Sequence, residues 1–363
     1  MTIQDRARLP EAPDDGAAND RGRLLSMCFG YVASRILHAA VRLRIPDALA
    51  DDEHSGTELA AVTAARPDSL RRLLRGLEHI GVITETRPDH FALTPMGHHL
   101  RSEDPGSVGS MIELFCAPQI WRAWESLDQA VRTGETGFTR EFGAGFYDHC
   151  AQDPSLATAL RDGLGQEALK VAPALATAVD FSRFRTLVDI GGGNGALLSA
   201  VLAANPALRG VLVDTATGSE PDSAPLREAG VGQRCEHVVA DFFRDVPTGG
   251  DAYLLKSVIQ DWDDEPALQI LRTCRRAMSS HARLLLVEYL RDARPPTASD
   301  VPLRDLLLLT TSGGHVRSEK EFADLLARSG FQLVSTTPVD RSYHVVEAAP
   351  SEIAGSGTAS AIQ

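Results

Sequence analysis

The spacing of apolar residues predicts a helical first half of the chain. From Leu24 to Leu49 the apolar positions recur at the three- and four-residue spacing of an amphipathic helix. A second helix is predicted over residues 57–65 with Thr57 as its N-cap, and Asp68 caps a third. A β-hairpin follows over residues 83–94. Helix, turn, helix and hairpin in this order are typical of a winged-helix unit.

The middle of the chain combines helical stretches with an aromatic cluster. The pattern predicts a helix over residues 108–127, a glycine-rich loop over 133–145 and a helix from Phe146 onward. Most of the aromatic rings should pack in the core, and some could wall a pocket for a planar substrate. The cluster consists of Phe115, Trp121, Trp124, Phe138, Phe142, Phe146 and Tyr147.

Strands and helices alternate in the second half. A run of leucine and β-branched residues over 186–190 meets a glycine-rich turn, and a helix follows over residues 196–204. This order is typical of the first strand, turn and helix of a doubly wound sheet, where glycines let a ligand approach the backbone. Further strands are predicted over residues 210–213, 236–240 and 252–255.

Three acidic residues, one inside the first predicted strand and two at the ends of the next strands, indicate an adenosyl cofactor. Asp214 follows the second strand, where an acid can bind ribose hydroxyls. Asp241 precedes Phe242, and an acid beside an aromatic ring can bind adenine through N6 and by stacking. Asp189 suits the positive amino group of a methionine moiety and would repel a pyrophosphate. Each acid alone fits a strand-end cap or turn former equally well, whereas the three in this order are specific.

Chain length predicts the number of domains, and the pattern of apolar runs predicts the cellular compartment. The 363 residues suffice for two domains, which we place at residues 21–178 and 179–349. Residues 1–20 and 350–363 are expected to be a disordered leader and tail. No apolar run approaches the length of a membrane span and no signal segment is evident, so we expect a cytoplasmic protein without a membrane partner.

Charge and cysteine spacing argue against nucleic-acid and metal binding. The net charge of −13 disfavours a winged-helix DNA-binding regulator. The candidate recognition helix carries Arg71, Arg72 and Arg75, which could contact phosphates but fit a solvated helix face equally well. Five scattered cysteines form no CxxC pair or metal-ligand spacing, so we expect reduced thiols and no metal.

Several sequence blocks, in register from about residue 24 to 348, resemble one family. The blocks are VDIGGGNG (188–195), Asp214, ADFF (240–243), DAYLLKSVIQDWDDE (251–265), LLLVE (284–288) and GGHVRSEKEF (313–322). The chain thereby resembles the class I S-adenosylmethionine-dependent small-molecule O-methyltransferases with a winged-helix dimerisation domain, which include plant phenylpropanoid and actinobacterial polyketide-tailoring enzymes. The resemblance implies an α/β fold, with a Rossmann-like seven-stranded methyltransferase domain preceded by an all-α winged-helix dimerisation domain.

The resemblance also implies a cofactor, a substrate class and a homodimer. S-adenosyl-L-methionine would be bound by Asp189, Gly191, Gly193, Asp214, Asp241, Phe242 and Lys256. Lys256 would pair with the methionine carboxylate, and pointing to solvent is its alternative. The substrate would be an aromatic or polyketide-like metabolite. Dimerisation is expected through the N-terminal helices, whose apolar face from Met27 to Val41 is long for a monomer surface.

The chain departs from the family at the catalytic base. The family's general base is a histidine just before the Asp-Trp pair, and this chain has Gln260 there, whose amide cannot accept a proton. Of the two glutamates that orient that histidine, one is retained as Glu288 and the other is replaced by Val316. The base and one of its partners are therefore both absent.

Three interpretations of the missing base are open. Gln260 orients the substrate while methyl transfer proceeds by proximity, which can supply ~7–11 kcal/mol of a barrier. Alternatively, Asp261 or His315 acts as a substitute base. A third possibility is a cofactor-retaining enzyme with other chemistry, such as hydroxylation, decarboxylation or a pericyclic step.

Overall fold

The computed structural model describes residues 16–104, 106–215, 223–293 and 300–351. The chain divides into two compact units, residues 1–118 and 119–363. This division lies earlier than the boundary at residue 178 that the sequence predicts. The reason is packing, because the long helix Pro154–Ala178 lies against the helix Ala196–Ala204 that follows the glycine turn.

The first unit is helical, with a small sheet. Its described helices are α1 (Gly16–Cys28), α2 (Gly30–Arg42), α3 (Ile45–Leu49), α4 (Gly56–Val62), α5 (Pro67–His79), α6 (Pro95–His98) and α7 (Gly109–Phe115). Its strands β1 (His54–Ser55), β2 (Ile83–Arg87) and β3 (His90–Leu93) pair antiparallel in the order β1-β3-β2. The predicted hairpin is confirmed. Residues 16–20, expected in the disordered leader, belong to α1, and residues 1–15 lie outside the described residues.

Two predicted helix caps are wrong. The Ser55 hydroxyl, and not Thr57, accepts from the Glu58 N–H, while the Glu58 carboxylate accepts from the Ser55 N–H at 2.7 Å. This reciprocal pair satisfies two helix-end donors at once, which a cap at Thr57 would not do. Arg66 is the N-cap of α5, and Asp68 lies in its first turn, where a carboxylate stabilises the positive end of the helix.

The N-terminal helices expose large apolar side chains. Leu24, Met27 and Phe29 are each more than 60% exposed. The helical segment Asn19–Arg42 is long and apolar enough to cross a membrane by length and composition, so the expectation that no apolar run reaches that length is wrong. Exposed apolar surface of this kind marks contacts with other chains or with membranes.

The second unit contains the large sheet. Its described helices are α8 (Pro118–Glu125), α9 (Leu127–Thr133), α10 (Gly137–Phe142), α11 (Phe146–Cys150), α12 (Pro154–Ala178), α13 (Ala196–Ala204), α14 (Ala224–Glu228), α15 (Asp264–Ala277), α16 (Val301–Thr310) and α17 (Glu319–Arg328). Its strands are β4 (Thr186–Ile190), β5 (Arg209–Asp214), β6 (Cys235–Val239), β7 (Ala252–Lys256), β8 (Arg283–Tyr289), β9 (Phe331–Pro338) and β10 (Tyr343–Pro350). The predicted loop over residues 133–145 contains α10, and the single predicted helix over 108–127 is broken between α7 and α8.

The sheet has the order β6-β5-β4-β7-β8-β10-β9. Strands β4 to β8 run parallel, and β10 is antiparallel to both β8 and β9. Seven strands confirm the predicted fold. Successive residues of a strand enter opposite cores, so Leu187 packs on the face of α12 and α13 while Val188 packs on the face of α15 and α17. The carboxyl ends of the parallel strands meet at one edge, where ligands bind in such sheets.

Candidate functional site

A glycine turn opens the site after β4. Gly191 and Gly193 have φ of 71° and 57°, which is left-handed backbone that glycine adopts without strain. A Cβ on Gly192 would lie 2.4 Å from Leu212 Cδ1 and 2.7 Å from Asp189 Oδ2. Asp214 at the end of β5 fixes the turn, because the Gly193 N–H donates to Asp214 Oδ2 at 2.7 Å. The glycines therefore leave backbone exposed where side chains would block it.

A cavity of about 360 Å³ lies over this turn. The structure brings all seven predicted cofactor residues to its wall: Asp189, Gly191, Gly193, Asp214, Asp241, Phe242 and Lys256. Asp261 lines the same cavity, and so do Tyr147, Phe243 and Trp262. The cavity wall therefore combines carboxylates and exposed backbone with aromatic rings.

Asp189 presents a buried carboxylate oxygen to the cavity. The residue is 1% exposed, and among the described residues no donor reaches its Oδ2. Burial, and then the nearby Asp214 carboxylate, raise the pKa of Asp189 to about 7. An unpartnered buried carboxylate is costly, so the site fits a ligand that brings a positive charge or a donor to this oxygen.

Asp214, Asp241 and Phe242 lie where the sequence predicts ribose and adenine contacts. Burial raises the pKa of Asp214, while hydrogen bonds from Gly193 and Thr215 oppose that rise. Asp241 is half-exposed and pairs with Arg244. The Phe242 ring stacks on Phe243 at 5.3 Å between centroids and is 8% exposed, so packing fixes the ring that lines the cavity.

Lys256 belongs to a buried ion network that the sequence analysis missed. Its Nζ lies 3.1 Å from Glu167 Oε2, and Arg304 donates to Glu167 Oε1 at 2.7 Å. Although burial opposes the shift, the two cations lower the pKa of Glu167 to about 2. The Glu167 carboxylate is therefore shared between two cations next to the cavity. No spacing signal could have found Glu167, which lies on α12, 89 residues from Lys256.

Arg161 is a second cation in the cavity wall. It stands on the face of α12 that also presents Leu160, Leu164 and Gly165 to the cavity. Its Nε is buried, and no described group accepts a hydrogen bond from it; the Asp162 carboxylate is 3.6 Å away. The sequence analysis missed this residue as well, because an arginine on a long helix gives no signal of its own.

Gln260 and Glu288 lie behind the cavity wall. Neither is among the described residues that line the cavity, and they are 3% and 0% exposed. Glu288 Oε1 accepts from the Ile259 N–H at 2.9 Å. Gln260 Oε1 and Glu288 Oε2 are both buried, and no donor in the described ranges reaches either. Burial, and then the Asp261 charge, raise the pKa of Glu288 to about 8, so it holds a proton at pH 7.

The two candidate substitute bases differ in position. His315 is not among the described residues lining the cavity, and burial lowers its pKa. Asp261 lines the cavity and accepts a hydrogen bond from the Tyr147 hydroxyl. Burial raises the pKa of Asp261 to about 6. The geometry therefore favours Asp261 over His315.

The block at residues 313–317 positions the segment that carries Gln260 and Asp261. Arg317 is 1% exposed and donates to the carbonyls of Ile259 and Trp262 at 3.0 and 2.9 Å. A Cβ on Gly314 would lie 2.0 Å from the Gln260 carbonyl oxygen. The block therefore acts through backbone contacts on the segment next to the cavity.

Both units of the chain match known protein families. A family profile described as an O-methyltransferase domain matches residues 124–332, and one described as an O-methyltransferase dimerisation domain matches residues 25–102. O-demethylpuromycin-O-methyltransferase of Streptomyces alboniger is 39% identical over 90% of this chain and 89% of its own length. The chain belongs to the O-methyltransferase family.

Solved structures agree with this assignment. A structure of LaPhzM has a TM-score of 0.87 at 39% identity, covering 91% of this chain and 99% of its own. The mitomycin 7-O-methyltransferase MmcR has a TM-score of 0.82 at 38% identity, covering 92% and 98%. Phenazine O-methyltransferase PhzM of Lysobacter antibioticus is 40% identical over 90% of this chain and 95% of its own length.

The predicted family, fold class and enzyme class are thus confirmed. S-adenosylmethionine is the cofactor of this family, and the structures of NcsB1 and CalO1, at 28% and 29% identity, contain S-adenosylmethionine and S-adenosylhomocysteine respectively. The relatives named above are methyltransferases, which favours methyl transfer over the alternative chemistries. The roles of individual site residues stay predictions.

Gly314→Ala should destabilise the fold. The new methyl group would overlap the Gln260 carbonyl, which is backbone and cannot rotate away, so we expect a loss of ~1–3 kcal/mol or more in the free energy of unfolding. Urea unfolding measures this loss in the free energy of unfolding. The control is Gly232→Ala, whose Cβ would meet only the Leu226 carbonyl oxygen at 3.9 Å. Equal unfolding midpoints for the two variants would contradict this account of the segment.

Proposed function

We propose that this chain transfers the methyl group of S-adenosylmethionine to a hydroxyl oxygen of a planar aromatic metabolite. The observation that carries the proposal is the cavity, which joins the glycine turn, the unpartnered Asp189 oxygen and the strand-end acids to a set of aromatic rings. The acids suit an adenosyl amino acid, and the rings suit a planar acceptor.

The residues at the strand ends fit each part of the cofactor. Asp189 would accept from the positive amino group, and Asp214 would accept from the ribose hydroxyls. Asp241 and Phe242 would bind adenine through N6 and the ring face. Arg161 and Lys256 would share the methionine carboxylate. The Arg161 Nε makes no hydrogen bond to a described group, with the Asp162 carboxylate 3.6 Å away, and the Lys256 Nζ shares Glu167 with Arg304. When bound, the cofactor supplies an electrophilic methyl group on a sulfonium.

The acceptor would lie against the aromatic part of the cavity. Tyr147 and Trp262 stack at 5.5 Å between centroids with planes 26° apart, and Phe243 meets Trp262 edge-on at 4.8 Å. Names of relatives fit this chemistry, since they include a 3-amino-4-hydroxybenzoate 4-O-methyltransferase from Streptomyces cremeus and a 2,7-dihydroxy-5-methyl-1-naphthoate 7-O-methyltransferase from Streptomyces carzinostaticus. We infer an aromatic or polyketide-like acceptor from secondary metabolism.

Gln260 would contribute by position and not by proton transfer. An amide accepts no proton at any relevant pH, and its side chain is buried behind the wall next to Asp261. The effect of Gln260 on the acceptor would pass through the neighbouring Asp261, which lines the cavity, and positioning of the acceptor by the cavity as a whole is worth ~7–11 kcal/mol.

The proposal is tested with isotopically labelled S-adenosylmethionine and a panel of acceptors. The panel contains O-demethylpuromycin, 3-amino-4-hydroxybenzoate and 1,4-dihydroxy-2-naphthoic acid, which appear in the names of relatives. Mass spectrometry should find a product heavier by the labelled methyl group, located on oxygen. An oxygen-enriched or decarboxylated product with intact cofactor would overturn methyl transfer, and so would cofactor binding with no methylated product from any acceptor.

We further propose a cytoplasmic homodimer formed through the first unit. The dimerisation profile covers residues 25–102, and α1 with α2 exposes apolar side chains such as Leu25, Met27 and Phe29. Each Å² of apolar surface that is buried contributes about 25 cal/mol of favourable free energy, so association through this exposed apolar face is favourable. Nucleic acid is not expected as a partner, given the net charge of −13.

Asp214→Ala should weaken binding of S-adenosylhomocysteine. Two ribose hydroxyls lose a charged acceptor, which is worth ~1.5–3 kcal/mol or about 10- to 150-fold in Kd. Calorimetric titration measures this change. Asp245→Ala removes an exposed acid outside the cavity lining and serves as the control. Unchanged affinity in the folded Asp214→Ala protein would remove this residue from the site.

Gln260→Ala should lower kcat by less than about tenfold, because an orienting residue acts through geometry whereas a general base contributes ~10²–10⁴-fold. Gln260→His should bring no large gain, since the rate does not depend on a base at this position. Steady-state assays on the acceptor from the panel that gives most product measure both variants. A loss above about a thousandfold in Gln260→Ala would mean that the amide has a chemical role.

Light scattering should find a solution mass near twice 39.0 kDa. Phe29→Glu should shift the mass toward the monomer, because a charge in an apolar interface is not paired. Deleting residues 1–45 should cause aggregation, because apolar surface beneath the N-terminal helices becomes exposed. Val131→Glu, at a 66% exposed position in the second unit, is the control and should stay dimeric. A stable, active monomer after the deletion would contradict the proposal.

A further inference from the structure

Tyr147 and Asp261 form a hydrogen-bonded pair in the cavity wall. The Tyr147 hydroxyl donates to Asp261 Oδ2, and both residues line the cavity together with the predicted cofactor residues. The two positions are 114 residues apart in the chain, on α11 and at the end of a short 3-10 turn after β7. Tertiary folding therefore creates a hydroxyl–carboxylate pair in this wall.

Packing holds both members of the pair. The Tyr147 ring stacks on Trp262 and meets Phe146 at 5.2 Å between centroids, with planes 66° apart. The backbone around Asp261 is held by Arg317, which binds the carbonyls of Ile259 and Trp262. Because both side chains start from fixed positions, little conformational entropy is lost when they act together.

We propose that Tyr147 and Asp261 together receive the proton of the acceptor hydroxyl, in the place of the histidine that this chain lacks. This inference rests on the methyl transfer proposed above. The acceptor hydroxyl gives its proton to Tyr147 Oη, and Tyr147 passes its own proton to the Asp261 carboxylate. The acceptor oxygen bonds the methyl carbon as the carbon–sulfur bond breaks, and that electron pair goes to sulfur. Asp261 later releases the proton to water.

The electrostatics of the pair suit a relay. Burial raises the pKa of Asp261 to about 6, and the hydrogen bond from Tyr147 opposes a further rise, so Asp261 is mostly ionised at pH 7. Burial, and then the Asp261 charge, raise the pKa of Tyr147 well above 10, so its hydroxyl is a neutral donor. A base with a pKa just below the working pH is both ionised and able to accept a proton.

Other titratable groups act on this pair without replacing it. The groups that interact with Asp261 or Tyr147 from neighbouring elements are Arg304, Lys256, Glu167, Glu288, Cys150 and Asp214. Cys150 also lines the cavity, but burial raises its pKa to about 12, so it stays protonated. Asp214 is engaged with the Gly193 and Thr215 N–H groups.

The inference is tested with Tyr147→Phe and Asp261→Asn, assayed from pH 5 to 8 on the panel acceptors. Asp261 must be ionised to act, so with S-adenosylmethionine saturating at every pH, wild-type kcat/KM for the acceptor should be full well above pH 6 and fall as the pH drops through about 6. Asp261→Asn should lose ~10²–10⁴-fold in kcat and lose this acid limb. Tyr147→Phe should lower kcat at least about tenfold and move the limb to higher pH, because Asp261 loses its donor.

A matched control and a second measurement separate this inference from the proposed function. Tyr253→Phe removes a buried hydroxyl that donates to the Pro247 carbonyl and should leave the acid limb unchanged. Carbon-13 NMR should follow the Asp261 carboxyl, assigned by its loss in Asp261→Asn, with S-adenosylhomocysteine and 1,4-dihydroxy-2-naphthoic acid present. The midpoint should rise in Tyr147→Phe.

Two results would overturn the relay: an unmoved midpoint in Tyr147→Phe, or a Tyr147→Phe rate within about twofold of wild type with an unmoved acid limb. A wild-type protein that methylates no panel acceptor is a different failure. It would contradict methyl transfer itself, while the NMR midpoint still decides whether the hydroxyl and carboxylate share the proton. Unchanged S-adenosylhomocysteine affinity in both variants is expected, because neither residue is assigned to the cofactor.

Discussion

The burial of carboxylates at one edge of the parallel sheet is the constraint on which the site depends. Asp189, Asp214, Asp261 and Glu288 lie at or near strand ends, and burial raises the pKa of each. Removing a carboxylate from water costs several kcal/mol unless donors or cations replace the water. Asp214 accepts from two backbone N–H donors and Asp261 accepts from Tyr147, whereas Asp189 and Glu288 each keep one oxygen without a described donor. Of these last two, Asp189 lines the cavity and Glu288 is not among the described lining residues, so we assign the cationic group of the proposed ligand to Asp189.

Gln260 stands where the family that the sequence resembles has a histidine, and the neighbouring acids lie in an environment that suits this difference. Glu288 is fully buried, accepts from the Ile259 N–H, and lies within the electrostatic influence of Asp261 and Arg317. Glu288 therefore holds a proton at pH 7, with a pKa of about 8, and acts as a backbone anchor for Ile259. In the relay proposed above, the proton acceptor is the next residue along the chain, Asp261, which lines the cavity.

Local sequence patterns predicted most of the fold. The spacing of the sequence blocks that resemble the O-methyltransferase family predicted part of the site. The apolar run before the glycines predicted β4, its turn and α13, because their contacts are close in sequence. Strand-end acids were predictable because parallel strands bring their carboxyl ends together. Glu167, Arg161 and Tyr147 were not, because α11 and α12 reach the cavity only through tertiary packing. The caps at Ser55 and Arg66 also depended on backbone geometry that residue type alone does not specify.

The most direct test of the central claim is the pH dependence of S-adenosylhomocysteine binding. Asp189 has a pKa of about 7 in the free protein, and a positive amino group would lower that pKa in the complex. Binding should therefore release a proton, so affinity is full above pH 7 and falls below it, by about tenfold between pH 8 and pH 6. Calorimetry should show this slope in wild type and its loss in Asp189→Asn. The same slope in both proteins, or a pH-independent wild type, would contradict the assignment of Asp189 to the cofactor's amino group.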